Sequence, residues 1–269
     1  MTAFTPVSYL FVPGNRPERF DKACAAGADV VIIDLEDAVP LSEKDSARAA
    51  VAAWLLPGKS VALRINSADT SWHAADLALC ALPGVAAVVL PKAGSVAELA
   101  RVTAAGAPAL LPLIESAAGF ANVNALAGAP HVLRLLFGSI DFSVDLGIGG
   151  DDRELDYFRS QLVLASRLAG IAAPVDGVTT ALDDDAVLRH DTLRGKRFGF
   201  GAKLCIHPRQ LAGVHAAYMP NADEVAWAQR VLDAATRTNG AAVAVDGKMV
   251  DRPVMVKAGL ILQQAARRR

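Results

Sequence analysis

Cysteine and histidine are scarce in this sequence. The 269 residues include three cysteines, Cys24, Cys80 and Cys205, and five histidines. Three scattered cysteines do not form a disulfide framework and are typical of a reducing compartment. The histidines lack metal-ligand spacing, and no Cys–His nucleophile pattern is present. These absences argue against a zinc site and against thiol catalysis.

An excess of either charge is also absent. The chain has 27 basic and 28 acidic residues, which gives a formal net charge of −1. We therefore expect neither a nucleic acid nor an anionic membrane as a partner. No apolar run approaches the roughly 20 residues that span a bilayer, and the start of the sequence lacks the pattern of a signal peptide. We expect a cytoplasmic protein.

What the sequence does have is a hydrophobic content of 53% and a regular alternation of apolar runs with helical segments. This alternation is typical of a parallel α/β fold. Eight such units in a chain of this length predict a TIM (β/α)8 barrel over residues 1–219, followed by a C-terminal extension over residues 220–269. The predicted strands are Tyr9–Val12, Val30–Leu35, Val61–Ile65, Ala87–Leu90, Ala109–Ile114, Leu133–Phe137, Ala172–Val175 and Phe200–Ile206.

The extension is predicted to contain helices and a hairpin. A helix over Asp223–Thr236 leads to two short strands, Ala242–Val245 and Lys248–Val250, and a last helix begins near Pro253. The Asp246–Gly247 pair between the two strands is a strong hairpin-turn signal.

Two apolar runs end at a carboxylate. Glu115 follows Leu110–Ile114, and Asp141 follows the run that ends at Phe137. Active sites of barrels lie at the ends of their parallel strands, and oxygen ligands suit Mg²⁺ or Mn²⁺. The pair therefore predicts a hard-cation site, and the alternative is that each carboxylate caps the helix that follows it.

Other polar residues are expected at the same mouth, where charges that meet must pair or bind a charged ligand. They are Arg16, Asp34, Glu36, Asp37, Arg64, Asn66, Lys92 and His207. We expect Asp34 to cap or pair locally, His207 to order its loop and Lys92 to neutralise a carboxylate.

Several motifs, in order along nearly the whole chain, resemble the citrate lyase β-subunit-like branch of the HpcH/HpaI aldolase/citrate lyase family. This branch includes malyl- and citramalyl-coenzyme A lyases. The motifs are residues 10–20 (LFVPGNRPERF), 33–39 (IDLEDAV), 63–66 (LRIN), 90–92 (LPK), 114–116 (IES), 205–208 (CIHP) and 247–253 (GKMVDRP).

The resemblance implies a magnesium-dependent enzyme that reversibly cleaves a carbon–carbon bond of a 3-hydroxyacyl thioester. By the same resemblance, Glu115 and Asp141 are the metal ligands, and Arg64 grips the oxoacid carboxylate. Glu36 and Asp37 then lie near the metal's water ligands, and Asp251 is an acid/base residue in a neighbouring subunit's site. Arg16 is expected to bind substrate, and the assembly is expected to be a homotrimer or a dimer of trimers.

Two positions depart from the family pattern, which often has Arg where this chain has Val7 and Glu where it has Ile140. The structural alternatives are an ion pair of Arg64 with Glu36 or Asp37, and an N-cap role for Asp251. Two other functions stay open: an aldolase acting on free 4-hydroxy-2-oxoacids, and a non-catalytic scaffold. The thioester carrier is coenzyme A or an acyl carrier protein, the latter as in a citrate lyase complex with its partner subunits.

Overall fold

The computed structural model describes residues 5–150, 152–238 and 241–266. It divides into two compact units, one over Pro6–His215 and one that contains the residues after His215. Among the described residues, no helix combines the length and the apolar character needed to cross a membrane.

The first unit is a closed barrel of eight parallel strands in sequence order, β1 to β8. The barrel that the sequence predicts is therefore confirmed. The strands are β1 Ser8–Pro13, β2 Val30–Asp34, β3 Val61–Arg64, β4 Val85–Leu90, β5 Leu110–Ile114, β6 Leu136–Phe137, β7 Val175–Asp176 and β8 Ala202–Cys205.

Helices connect the strands and surround the barrel. They are α1 Phe20–Ala25, α2 Lys44–Trp54, α3 His73–Asp76, α4 Val96–Ala104, α5 Ala117–Ala121, α6 Val123–Ala127, α7 Ser139–Leu146, α8 Asp156–Leu168, α9 Asp185–Phe198 and α10 Gln210–Tyr218. Local chemistry sets several of their ends. Ser95 and Glu98 form a capping box at the start of α4, and Gly199 ends α9 with a φ of 101°.

The barrel interior is filled by apolar side chains that point inward from all eight strands. They are Tyr9, Ile32, Ala62, Ala87, Val89, Ala109, Leu111, Leu113, Leu136, Val175, Ala202 and Leu204. At the end where the strands begin, the buried Arg134 donates to the carbonyls of Pro6 and Ala173 and to the hydroxyl of Tyr9. The guanidinium thus closes that end, and it leaves the opposite end for a site.

The second unit contains α11 Ala222–Arg237, the antiparallel pair β9 Val243–Val245 and β10 Lys248–Val250, and α12 Arg252–Ala266. Its small core is formed by Ala228, Val231, Val250 and Ala258. The hairpin has the predicted turn, in which Asp246 and Gly247 both have positive φ.

Candidate active site

Glu115 lies directly after β5 and is 4% exposed. Its Oε1 accepts a hydrogen bond of 2.7 Å from the backbone N–H of Lys92. The helix cap after this strand is Ser116, which accepts from the N–H of Gly119, so Glu115 does not serve as the cap. Burial raises the pKa of Glu115 to about 7, and the nearby charges of Asp141 and Asp37 add to the effect, while the Lys92 N–H and Arg64 oppose it.

Lys92 contributes its backbone rather than its side chain. Its φ of 49° is uncommon for a residue other than glycine, and its side chain is exposed. Such backbone strain persists where the surrounding structure enforces it. Here it accompanies the N–H that donates to Glu115, a contact that sequence spacing alone does not reveal.

Asp141 and Glu115 line the same cavity of about 300 Å³ at the ends of the strands. Asp141 lies in the first turn of α7 rather than directly on β6, and it is exposed. Gly138 precedes this helix, and a Cβ atom there would lie 2.6 Å from both Cβ and Oε2 of Glu115. Glycine at this position therefore allows the buried carboxylate to pack beside the end of β6.

Arg64 ends β3 and lines the same cavity. Its Nε and Nη2 donate to the two oxygens of Asp34, at 2.6 Å each, which is a bidentate ion pair. Asp34 and Arg64 are register partners on adjacent strands. Asp34 also accepts from the N–H groups of Glu36 and Ala38, so it both pairs and caps locally, as the sequence predicts.

Glu36 and Asp37 approach the remaining edge of the guanidinium. Arg64 Nη1 lies 3.0 Å from Glu36 Oε2 and 3.1 Å from Asp37 Oδ2. Burial raises the pKa of Glu36 to about 8; Arg64 opposes this shift, and Asp37 and Glu115 add to it. The contacts of Arg64 with Glu36 and Asp37 that the sequence allows are therefore present, although Asp34 is the main partner.

Lys44 fixes the loop that carries these two carboxylates. The Lys44 side chain is buried, and its Nζ donates to the carbonyls of Leu35 and Glu36 at 2.8 and 2.7 Å. The sequence analysis missed this residue, because a lysine in the first turn of a helix gives no local sign that it points back under a neighbouring loop.

The donor set fits Mg²⁺. Within the described part of the chain, no group of three or more His, Cys, Asp or Glu side chains is arranged to hold a metal ion. Mg²⁺ binds through one or two carboxylates and keeps several waters or substrate oxygens, so two carboxylates are enough. Burial raises the pKa of Glu115 and the neighbouring charges of Asp141 and Asp37 add to the shift, and a cation bound beside Glu115 would oppose both causes.

Other predicted mouth residues lie outside the cavity lining. Arg16 is exposed and pairs with Glu18 at 2.7 Å, and Asn66 donates to Asp76. His207 accepts from the N–H of Arg209 through its Nδ1, which orders the loop after β8 as expected. Of the predicted set, the cavity lining contains Asp34, Asp37, Arg64, Glu115 and Asp141.

Asp251 lies in the second unit, immediately before α12. Its Oδ1 accepts from the N–H of Val254 at 3.4 Å, and its carbonyl accepts from the N–H of Met255. The N-cap role that the sequence allows for this residue is therefore present. A weak cap of this kind leaves the carboxylate available for other contacts.

Comparisons with known proteins give the same family as the motifs. The HpcH/HpaI aldolase/citrate lyase model matches residues 7–208. A citrate lyase subunit beta-like protein of Deinococcus radiodurans is 37% identical, with 96% of this chain and 97% of the relative covered. A (3S)-malyl-CoA thioesterase of Cereibacter sphaeroides is 32% identical over 96% of this chain and 94% of the relative.

A solved structure is similar over almost the full length. It is the crystal structure of CitE from Mycobacterium tuberculosis in complex with magnesium, acetoacetate and coenzyme A. The TM-score is 0.88 and the identity is 35%, with 99% of this chain and 100% of that chain covered. Barrel, motifs and relatives agree: the chain belongs to the HpcH/HpaI aldolase/citrate lyase family and is a lyase of the citrate lyase β-subunit-like type.

Proposed function

We propose that the protein catalyses the Mg²⁺-dependent, reversible cleavage of a 3-hydroxyacyl thioester into an acyl thioester and a 2-oxoacid. The observation that carries this proposal is the convergence of Glu115, Asp141 and Arg64 on one cavity at the ends of the strands. The complex of the Mycobacterium tuberculosis relative with magnesium and coenzyme A supports it. Citryl, malyl and citramalyl thioesters all belong to this substrate class.

The reaction is balanced without an oxidant or a reductant. The substrate hydroxyl loses its proton as the carbon–carbon bond breaks, and that carbon becomes the carbonyl of the oxoacid. The electron pair of the broken bond passes to the α-carbon of the acyl thioester, which then receives a proton. When bound by Glu115 and Asp141, Mg²⁺ supplies Lewis-acid stabilisation of the oxoacid oxygens, and Mn²⁺ suits the same ligands.

Arg64 faces the same region and favours the negative charge that develops there. Its guanidinium is held in one orientation by Asp34, so little reorganisation is needed during the reaction. Glu36 and Asp37 are positioning residues in this scheme. They lie beside Arg64 and orient water molecules around the metal site.

Asp251 acts as the acid/base at the acyl carbon in our proposal, and it does so in a neighbouring subunit. The C-terminal extension, residues 220–269, then packs on that subunit, within a homotrimer or a dimer of trimers. Arg16 contacts the substrate outside the metal pocket. The acyl group is carried by coenzyme A or by an acyl carrier protein, the latter in a citrate lyase complex with partner subunits.

The test is a panel of citryl, malyl and citramalyl thioesters of coenzyme A, assayed with and without Mg²⁺. We expect an oxoacid and an acyl thioester from at least one substrate, and no turnover after the metal is removed. Asp141→Ala should abolish turnover and calorimetric Mg²⁺ binding while the circular dichroism spectrum stays unchanged. Glu154→Gln, an exposed change outside the cavity lining, is the matched control.

The product analysis separates this proposal from thioester hydrolysis, the activity named for the Cereibacter sphaeroides relative. Hydrolysis consumes water and releases free coenzyme A with an intact hydroxy acid, whereas carbon–carbon cleavage releases no free thiol. Metal-independent turnover, or hydrolysis without any oxoacid, would contradict the lyase proposal.

A further inference from the structure

The lining of the active-site cavity has two chemically different sides. Strands β2, β3 and β5 place Asp34, Arg64 and Glu115 at the cavity, so this arc of the barrel is charged. The adjoining arc is formed by β6, β7, β8 and β1, which are consecutive in the closed barrel. Besides Ser139 and the carboxylate of Asp141, which follow β6, it contributes apolar side chains, namely Phe11, Phe137, Ile140, Val178, Leu204 and Ile206.

On the charged side of the cavity, the basic side chain among the described residues already has carboxylate partners. Among the described residues that line the cavity, Arg64 is the one basic side chain, and it faces four carboxylates, Asp34, Asp37, Glu115 and Asp141. Asp34 already occupies Nε and Nη2 of Arg64, and Asp37 contacts Nη1. A bound divalent cation can coordinate one substrate carboxylate, although it and Arg64 together carry three positive charges against these four carboxylates. A second carboxylate would enter an acidic cavity without a partner, which is costly.

The apolar side is open to a substrate. Ile140 and Ile206 are 47% and 40% exposed, although both are large and apolar. Ile140 lies immediately before Asp141, and together with Ser139 and Val178 it also borders a larger groove of about 540 Å³. An apolar wall beside the metal ligands can bury a methyl group of the substrate. Among the described residues it offers a second carboxylate no cation, and its neutral polar side chain is that of Ser139.

From this division of the cavity into a charged side and an apolar side we infer that the wall formed by Ile140, Val178 and Ile206 selects one kind of oxoacid fragment. That fragment has a single carboxylate and a hydrogen or methyl substituent. The inference rests on the proposed function and narrows it. It favours thioesters of the malyl and citramalyl kind, which have one free carboxylate, over citryl thioesters, which have two. Ile140 and Ile206 are then specificity-determining residues.

Binding and turnover test this inference separately. With Mg²⁺ present, calorimetry should give tighter binding of pyruvate than of oxaloacetate by about tenfold or more, the scale on which a pocket discriminates single groups. The kcat/KM for citramalyl-coenzyme A should exceed that for citryl-coenzyme A by a similar factor. Because calorimetry does not require turnover, it tests selectivity even if the protein cleaves neither thioester.

A positively charged side chain introduced into the apolar wall should reverse the preference for pyruvate over oxaloacetate. Ile206→Arg should shift the ratio of pyruvate to oxaloacetate affinity toward oxaloacetate by at least about tenfold, because it supplies the missing partner for a second carboxylate. Ile206→Gln, of similar size but uncharged, should shift it much less. Val144→Arg places the same cation in the larger groove but outside the active-site cavity, and it should leave the ratio unchanged. If Ile206→Arg does not fold, Ile140→Arg carries the same test.

The outcomes distinguish the two proposals. Equal or tighter binding of oxaloacetate by the unmodified protein overturns the specificity inference and leaves the lyase proposal intact. A clear preference for pyruvate without cleavage of any thioester removes the lyase proposal and supports the selectivity of the wall. Failure to bind either oxoacid in the presence of Mg²⁺ overturns both.

Discussion

Asp34 and Asp37 both contact Arg64, but they differ in burial. The Asp34 side chain is fully buried and bidentate, whereas that of Asp37 is 58% exposed. We expect Asp34→Asn to lower the free energy of unfolding by about 3–5 kcal/mol, because it removes the main, bidentate counter-charge of a buried guanidinium. Asp37→Asn should cost less than about 1 kcal/mol. Denaturant unfolding measures both values, and equal losses would contradict this assignment of the ion pair.

Arg64→Lys tests the role of the guanidinium in catalysis. We expect it to remove about 2–4 kcal/mol of transition-state stabilisation, because an ammonium group cannot reproduce the planar fork. The measurement is kcat/KM with the preferred thioester. Arg48→Lys is a matched control, since Arg48 also pairs with two aspartates but lies outside the cavity lining. A change of less than about tenfold, or roughly 1.4 kcal/mol, would make Arg64 a structural residue.

The raised pKa of Glu36 gives a pH dependence of stability. The folded protein holds a proton on Glu36 up to a pKa of about 8, whereas the unfolded chain releases it near 4.5. The stability from this proton is present below the unfolded pKa and is lost as the pH rises toward 8. The melting temperature of the metal-free protein should therefore fall between about pH 5 and pH 8.

Glu36→Gln should weaken the fall of the melting temperature with pH, and Glu154→Gln should leave that fall unchanged. Glu115 acts in the same direction, since its pKa is raised to about 7. Added Mg²⁺ should stabilise the protein more at the upper end of this range, because the metal binds the deprotonated carboxylates. A metal-free melting temperature that rises across the range would contradict the raised pKa values.

That Glu115, Asp141 and Arg64 lie at one cavity was predictable, but the main partner of Arg64 was not. Sequence spacing places Asp34 and Arg64 at the ends of two strands. The motif resemblance implies that Arg64 binds the oxoacid carboxylate. Only the register of β2 and β3 shows that Asp34 and Arg64 are side by side. In-register parallel pairing of these two strands would have placed Asp34 beside Arg64.

At the scale of the elements, all eight strands were predicted. The predicted bounds of two of them differ from the structure by three residues, and those of the others by one or two residues. The predicted strand Leu133–Phe137 is reduced to β6, Leu136–Phe137, although the backbone of Leu133 still bonds with Leu110 and Ala172. The predicted strand Ala172–Val175 begins at Val175, since Pro174 lacks the N–H that a ladder requires.

The turn from β6 to α7 depends on a small residue. Gly138→Ala should displace the carboxylate of Glu115, because the added Cβ would lie 2.6 Å from its Oε2. We expect a loss of about 1–3 kcal/mol in stability and, beyond it, a fall in Mg²⁺ affinity measured by calorimetric titration. Gly149→Ala is the control, since a Cβ there meets no atom within 4 Å. Unchanged Mg²⁺ affinity in Gly138→Ala would show that Glu115 does not hold the metal.

At the scale of the whole molecule, the proposed role of Asp251 requires assembly. Asp251→Ala and Asp141→Ala subunits should each be inactive alone. Mixed oligomers should regain part of the activity, because some sites then combine an intact metal pocket with an intact Asp251. Mass spectrometry verifies the subunit exchange. No recovery after exchange, or a fully active monomer, would contradict catalysis between subunits.

Arg134, at the end of the barrel where the strands begin, also constrains the order in which the two reaction fragments bind and leave. Arg134 closes the end where the strands begin, and the interior is packed, so both fragments enter and leave by the rim. If the oxoacid binds at the depth of the buried Glu115, as we propose, the thioester with its long carrier lies outside it. The acyl thioester should therefore depart before the oxoacid. In the direction of synthesis the oxoacid should bind first, and kinetics with a compulsory order should result.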